Sequence, residues 1–143
     1  MSRVTVVGAG SWGTALASVL VDNGHDVTVW AHEGEVVEEL GSHGTNEAFL
    51  PGVRLRAPVR ATRDLSEALG EAEVAVSVVP AQFVAATWAP HVDALPGDAI
   101  VVSASKGIEI GSLRRMDEVF SEIRPGGRFA VLSGPSFAAE VAN

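Results

Sequence analysis

Short apolar runs alternate along the chain with stretches in which apolar residues recur every three to four positions. Val4–Val7 is the first run and reads as a strand. The stretch after it carries apolar residues at Trp12, Ala15, Leu16, Val19 and Leu20, the spacing of one buried helix face. Asn23 and Gly24 predict a helix stop with Gly24 as a left-handed cap. Val27–Trp30 is a second strand, and Glu33 to Leu40 reads as a helix that ends near Gly41 and Gly44. Residues 45–58 show no period and read as a loop. Val59–Thr62 is a short strand. Asp64 followed by Glu67 has capping-box spacing, so a short helix should run to about Gly70.

The second half repeats the alternation. Val74–Val79 is a near-continuous apolar run, the mark of a strand buried on both faces, and Pro80 ends it. Residues 82–95 read as a helix that Pro90 kinks or divides. Ala99–Val102 is a further strand, Leu113–Ile123 a helix, and Phe129–Leu132 the last strand. Ser136 is placed as the N-cap of a helix that begins at Phe137. Strands alternating with helices predict an α/β fold, a doubly wound and mainly parallel sheet with helices on both faces. A chain of 143 residues makes one such domain. The expected strand order is 3-2-1-4-5-6. Ligands then sit beyond the carboxyl ends of the strands, in the loops after Val7, Trp30, Val79, Val102 and Leu132.

The first of those loops holds Gly8, Gly10 and Gly13 in the pattern G-x-G-x-x-G, with a strand before it and a helix after it. Each glycine has its own reason. Gly8 permits a tight turn, Gly10 lets backbone approach a pyrophosphate, and Gly13 lets the helix pack closely on the strand. The helix start adds free N–H groups and partial positive charge. A glycine-rich turn without a ligand is the plainer alternative, and the correct flanks favour a Rossmann-type dinucleotide site. Ser11 and Trp12 fall in the first helical turn, beside the pyrophosphate; for Trp12, core packing competes with that role.

Three other loops carry candidate chemistry. Lys106 is the only lysine of the chain and follows the Ala99–Val102 strand, where its ammonium could pair with a phosphate or substrate oxygen. A solvated surface lysine is the alternative. Gly134 and Ser136 open the last helix and could bind an anion or a hydroxyl, against simple capping. After Trp30 the chain reads Ala31-His32-Glu33. Glu33 suits the ribose hydroxyl of NAD, whereas His32 suits the adenosine phosphate of NADP, so either cofactor is open. The histidines lack ligand spacing and no metal site is expected. No Ser-His-Asp arrangement can be placed.

The charge balance narrows the partners. A formal net charge of −8 disfavours nucleic acid and anionic membranes. The absence of cysteine fits a reducing, cytoplasmic setting. The first strand starts by residue 4, which leaves no room for a signal peptide, and no apolar run is long enough for membrane insertion.

Four stretches occur together in order: Gly8-Ala-Gly-Ser-Trp-Gly-Thr-Ala-Leu-Ala17, Asn46 with Phe49-Leu-Pro-Gly52, Ser105-Lys-Gly-Ile108, and Ser133-Gly-Pro-Ser-Phe-Ala-Ala-Glu-Val141. With them the chain resembles the N-terminal domain of the bacterial NAD(P)-dependent glycerol-3-phosphate dehydrogenases. That resemblance implies reversible hydride transfer between NAD(P)H and dihydroxyacetone phosphate, giving the glycerol 3-phosphate of phospholipid synthesis. It implies that Ser11, Trp12, Phe49 and Ala138 line the nucleotide, that His32 lies near its adenosine end, that Lys106 touches cofactor and substrate, and that Gly134 and Ser136 contact glycerol 3-phosphate. It also implies a helical substrate domain beyond Asn143 that carries the general acid/base, so no catalytic residue is assigned within 1–143. The expected consequences are a silent isolated chain, an apolar seam on the cleft side at Phe137, Val141 and Phe49, and self-association through it. A non-catalytic NAD(P)-binding module that senses redox state is the competing reading.

Overall fold

The computed structural model describes residues 1–143. Six strands form one sheet: β1 (Arg3–Val7), β2 (Asp26–Trp30), β3 (Arg60–Thr62), β4 (Val74–Ser77), β5 (Ile100–Ser103) and β6 (Arg128–Val131). Their order is β3-β2-β1-β4-β5-β6 and every pairing is parallel. Both the predicted order and the predicted fold class are therefore observed. Six helices connect or follow the strands: α1 (Ser11–Asp22), α2 (Gly34–His43), α3 (Leu65–Leu69), α4 (Val84–Trp88), α5 (Met116–Ile123) and α6 (Ala138–Val141).

Strand side chains alternate between two faces, and each face builds its own core. Val6, Val27 and Val29 pack with Ala17, Val36 and Leu40 under α1 and α2. Val7, Ala75 and Val101 pack with Leu69, Val84 and Val119 under α3, α4 and α5. Trp88 and Phe120 meet edge to face there, with ring centroids 5.1 Å apart. Burying the Trp88 indole requires a partner for its N–H, and Ser77 Oγ accepts it at 3.1 Å.

Several local expectations change. The buried side of α1 is Gly13, Thr14, Ala15, Ala17 and Ser18, while Trp12, Leu16, Val19 and Leu20 are only half-buried at its flanks. Close approach of this helix to the sheet leaves room only for small residues underneath, and Trp12, Leu16 and Leu20 pack at the flank on Val4 and Val76. Gly24 does lie in the left-handed region, at φ 78°. Asp64 caps α3 by accepting the Glu67 N–H at 3.0 Å, but Glu67 does not close the capping box. Its carboxylate accepts instead from the Thr62 hydroxyl, which in turn accepts the Asp64 N–H.

The 82–95 stretch is broken as Pro90 predicts, into α4 and flanking 3₁₀ turns at Ala81–Phe83 and Val92–Ala94. Helix α5 starts at Met116 rather than Leu113. Residues 109–114 close a small loop of their own, in which the Glu109 N–H donates to the Arg114 carbonyl and the Leu113 N–H to the Glu109 carbonyl. Leu113 takes φ 60° there, so the helix cannot begin at it. Ser136 is not the N-cap of α6; Phe137 occupies that position without a side-chain cap bond. Helix α6 lies against α1 through Ala138 and Ala142, which join Ala15, Leu50 and Val53. Phe137 points away and is 71% exposed.

No helix is long and apolar enough to cross a membrane.

Candidate functional site

The turn from β1 into α1 is built by its three glycines. Gly8 has φ 116°, where an L side chain is strained, and a Cβ there would stand 3.0 Å from the Val78 carbonyl carbon. A Cβ on Gly13 would stand 2.0 Å from the Gly8 carbonyl oxygen, so helix and strand touch backbone to backbone. A Cβ on Gly10 would meet nothing within 4 Å. Space is thus kept open in front of the helix at Gly10 and nowhere else in the motif. The first hydrogen bond of α1 runs from the Thr14 N–H to the Gly10 carbonyl. The amides of Ser11, Trp12 and Gly13 precede that ladder and point toward the open space. Free amides, a helix N-terminus and an empty approach are the features that hold a pyrophosphate, and the residues present fit one.

The loop of residues 45–55 is fastened over this turn. Asn46 is fully buried, and its side-chain amide donates to the Ala9 carbonyl and to Thr14 Oγ1, each at 2.8 Å. Ser11 donates its hydroxyl to the Phe49 carbonyl. Glu39 takes the Glu47 N–H at 3.0 Å and the Thr45 hydroxyl at 2.8 Å, and these bonds hold its carboxyl below the usual carboxylate range. Phe49 is left 40% exposed at the edge of the cradle. The Ser11 hydroxyl therefore fastens the loop, and what Ser11 offers a ligand is its amide.

On one side of the cradle a cleft of about 700 Å³ opens between the loops after β5 and β6. Trp12, Lys106 and Gly134 line it, with Ser103 and Ser133. The Lys106 ammonium lies 5.7 Å from the centroid of the Trp12 ring and donates to the Ser136 carbonyl at 3.3 Å. Trp12 packs beside Val4 and Ala15, as the packing alternative expects, and its ring also stands under the lysine. Arg115 and Asp117 close the far rim as an ion pair at 2.9 Å. The Arg115 guanidinium keeps the Asp117 carboxyl below its ordinary value.

On the other side, His32 lies in a second cleft of about 600 Å³, together with Trp30, Arg63 and Thr87. Glu33 does not line it. The predicted residues thus fall in sequence along the carboxyl edge of the sheet. His32 follows β2, the glycines follow β1, Lys106 follows β5 and Gly134 follows β6. Ala138 reaches the same edge by packing on α1.

Three residues of this edge had no role in the sequence reading. Asn46 stood in a quoted motif, and its burial under a loop gave no periodic signal. Ser103 ends β5 with its hydroxyl buried in the floor of the Lys106 cleft and without a hydrogen-bond partner. It is legible only as the polar end of an apolar strand. Arg63 follows β3, a strand too short to announce its carboxyl end.

Residues 3–143 match the family described as NAD-dependent glycerol-3-phosphate dehydrogenase N-terminus. The chain is 46% identical over 143 residues to the glycerol-3-phosphate dehydrogenase (NAD(P)+) of Citrifermentans bemidjiense, covering 98% of this chain and 43% of that protein. It is 44% identical over 145 residues to the enzyme of the same description from Streptomyces griseus, covering 98% and 42%. The crystal structure of glycerol-3-phosphate dehydrogenase from Coxiella burnetii superposes with a TM-score of 0.90 at 33% identity, covering 99% of this chain and 43% of that one. The chain therefore spans less than half the length of these relatives. With its glycine cradle, its Lys106 cleft and a family match over residues 3–143, the chain belongs to the NAD-dependent glycerol-3-phosphate dehydrogenase N-terminal family.

Proposed function

We propose that this chain is the cofactor-binding part of an NAD(P)-dependent sn-glycerol-3-phosphate dehydrogenase, acting in the cytoplasm on dihydroxyacetone phosphate and glycerol 3-phosphate. The observation that carries the reading is the continuity of the glycine cradle with the Lys106 cleft through Trp12. A dinucleotide bound across that line supplies or accepts the hydride. The chain's own residues divide the remaining work. Gly8, Gly10 and Gly13 with the amides of Ser11 and Trp12 hold the pyrophosphate. Phe49 and Ala138 flank it, and His32 faces the adenosine end. Lys106 offers its ammonium to cofactor and substrate, and Gly134 and Ser136 border the glycerol phosphate.

No residue of this part is assigned the proton transfer of the reaction, which belongs to a helical substrate domain in this reading. Titrating NADH and NADPH into chain 1–143, followed by nicotinamide fluorescence, tests the binding half, and saturable binding is expected. Reduction of dihydroxyacetone phosphate by the same chain should be undetectable. Turnover of roughly 1 s⁻¹ or more, within the ordinary range for enzymes, would put the acid/base inside these residues. Ile108, Val131 and Leu132 line the cleft and are exposed, and Phe137 is exposed after β6. Self-association through that face is expected and is read by sedimentation against concentration.

A further inference from the structure

The second cleft, at the carboxyl ends of β2 and β3, holds a cation that nothing else in the protein uses. Arg63 directly follows Thr62, the residue paired with Trp30 in the sheet. Its backbone is fixed from both sides. The Trp30 indole N–H donates to the Arg63 carbonyl at 2.9 Å, and the Ala31 N–H donates to the Thr62 carbonyl at 3.2 Å. The side chain, in contrast, is exposed and carries neither an ion pair nor a hydrogen bond. Seven of the other arginines are committed, among them Arg60 to Asp26, Arg114 to Glu109 and Arg124 to backbone carbonyls, and Arg54, the other free one, does not line this cleft.

The direction of that side chain matters. A Cβ built on Gly34 would lie 3.8 Å from both the Arg63 Cδ and one of its terminal nitrogens. The guanidinium therefore reaches across to the first residue of α2, over the turn that contains His32 and Glu33. His32 and Arg63 line the cleft together, and Glu33 is outside its wall. The acid within the wall is Asp64, whose Oδ1 already accepts the Glu67 N–H as the cap of α3. His91 is held too, with Nδ1 2.8 Å from Ser66 Oγ.

In a sheet of this topology the end of β2 meets the adenosine ribose. An acid there selects the free 2′-hydroxyl of NAD, and a nearby arginine accommodates the 2′-phosphate of NADP. The sequence left that choice open between Glu33 and His32. We propose that Arg63, supplied from the end of β3, is the specificity-determining residue and that with His32 it forms a 2′-phosphate subsite, so that the chain prefers NADPH over NADH. A phosphate monoester carries close to two negative charges near neutrality. The planar guanidinium fork matches its oxygens, and the anchored backbone fixes where the side chain starts. This rests on the cofactor-binding reading above and adds a residue and a preference to it.

The test is a calorimetric titration of the 143-residue chain with NADPH, with NADH, and with the half-molecules 2′,5′-ADP and 5′-ADP. NADPH should bind about tenfold or more tightly than NADH, as expected for hydrogen bonds to a charged group. Arg63→Ala should remove that ratio, weakening NADPH and 2′,5′-ADP by about tenfold or more while NADH and 5′-ADP stay within about twofold. Arg63→Lys keeps the charge but not the fork and should fall between. An Arg63→Ala loss shared equally by NADPH and NADH, no loss at all, or a wild-type preference for NADH would each overturn the assignment while leaving the cofactor site in place. Failure of the wild-type chain to bind either dinucleotide would instead remove the cofactor-binding reading itself, and this subsite with it.

Discussion

The chain turns from strand to helix beside a glycine at both ends of the sequence, after β1 and after β6, and the two turns are built differently. The first is central. Val4, Val6 and Val7 are buried, β1 has a neighbour on each side, and a helix of 12 residues follows. The second is at the sheet edge. Val131 is 62% exposed, and α6 has only four residues, none of them buried. At the first turn a Cβ on Gly13 would collide with backbone, whereas a Cβ on Gly134 would meet only Ser136 Oγ, at an ordinary 3.6 Å. The difference is one of completeness. The glycine turn after β1 is finished by this chain's own packing, and the cleft beside β6 has one wall, made of Lys106, Gly134 and the loop to Ser136. A turn enclosed by its own packing shows itself as steric necessity, while an open one shows itself as exposed residues bordering a cleft.

The widest separation between the two turns should come from paired substitutions. Gly13→Ala pushes a methyl group into the Gly8 carbonyl, and helix and strand must part to admit it. A loss of roughly 3 kcal/mol or more is expected in urea unfolding, at the upper end for overpacking. Gly134→Ala should cost less than about 0.5 kcal/mol, as for a surface change without special geometry. Similar losses for both would mean that the edge turn is as tightly determined as the central one.

Gly10→Val sharpens the same comparison by separating binding from folding. Its side chain enters space that no protein atom occupies, so the melting temperature should stay within about 3 °C of wild type. Dinucleotide affinity should fall by about a hundredfold or more, because the branched carbons stand where the pyrophosphate approaches. A folded Gly10→Val chain with wild-type affinity would remove the cradle assignment.

Asn46→Ala tests whether the loop over the first turn is part of that turn. The substitution leaves the Ala9 carbonyl and Thr14 hydroxyl without their buried partner and opens a small void. A loss of about 2 kcal/mol is expected, with NADPH affinity reduced several-fold as Phe49 loosens. Acid should have the same effect on the loop. Glu39 is held below its ordinary value mainly by the Glu47 N–H and then by the Thr45 hydroxyl. Its contribution is present above the usual carboxylate range and is lost as the pH falls through the depressed value. Hydrogen exchange at the Glu47 amide should therefore accelerate, relative to the intrinsic rate, once the pH falls through the depressed Glu39 value. Protection that persists there would remove Glu39 from the anchor.

What could be read in advance follows the same division. The strand order and the cradle were legible because period-2 runs and three glycines encode steric facts that few folds satisfy. The apolar spacing of α1 marks Trp12, Leu16 and Leu20, which do pack on Val4 and Val76 of the sheet, but it misses the buried positions Gly13, Thr14 and Ser18, because small and polar residues leave no apolar signal. Ser136 looked like a cap because its residue type favours caps, yet the helix starts one residue later than that cap requires. Arg63 and Ser103 were missed for a shared reason. Each is defined by what lies beside it across the sheet, and parallel pairing brings together residues far apart in the chain.

The smallest effect belongs to the loop that leads from the Lys106 cleft into α5. The Leu113–Ile123 helix expectation failed there at its first residues because Leu113 sits at φ 60° inside a closed six-residue turn. Its side chain is 69% exposed and so gives little burial in return for that conformation. The turn is held by Glu109, whose carboxylate accepts from the Ser112 hydroxyl and from Arg114 Nε at 3.0 Å. These bonds lower the Glu109 pKa, the Ser112 hydroxyl contributing most. Leu113→Gly removes the strain of the left-handed backbone, about 1 kcal/mol or slightly more, and adds unfolded-chain entropy that takes back roughly half of it or more. The net change should be a gain of no more than about 0.5 kcal/mol, or 1–2 °C in melting temperature. Cofactor affinity should stay the same, since the turn lies beyond the cleft rim. A loss exceeding about 1 kcal/mol would show that the Leu113 side chain packs in solution where it now faces water.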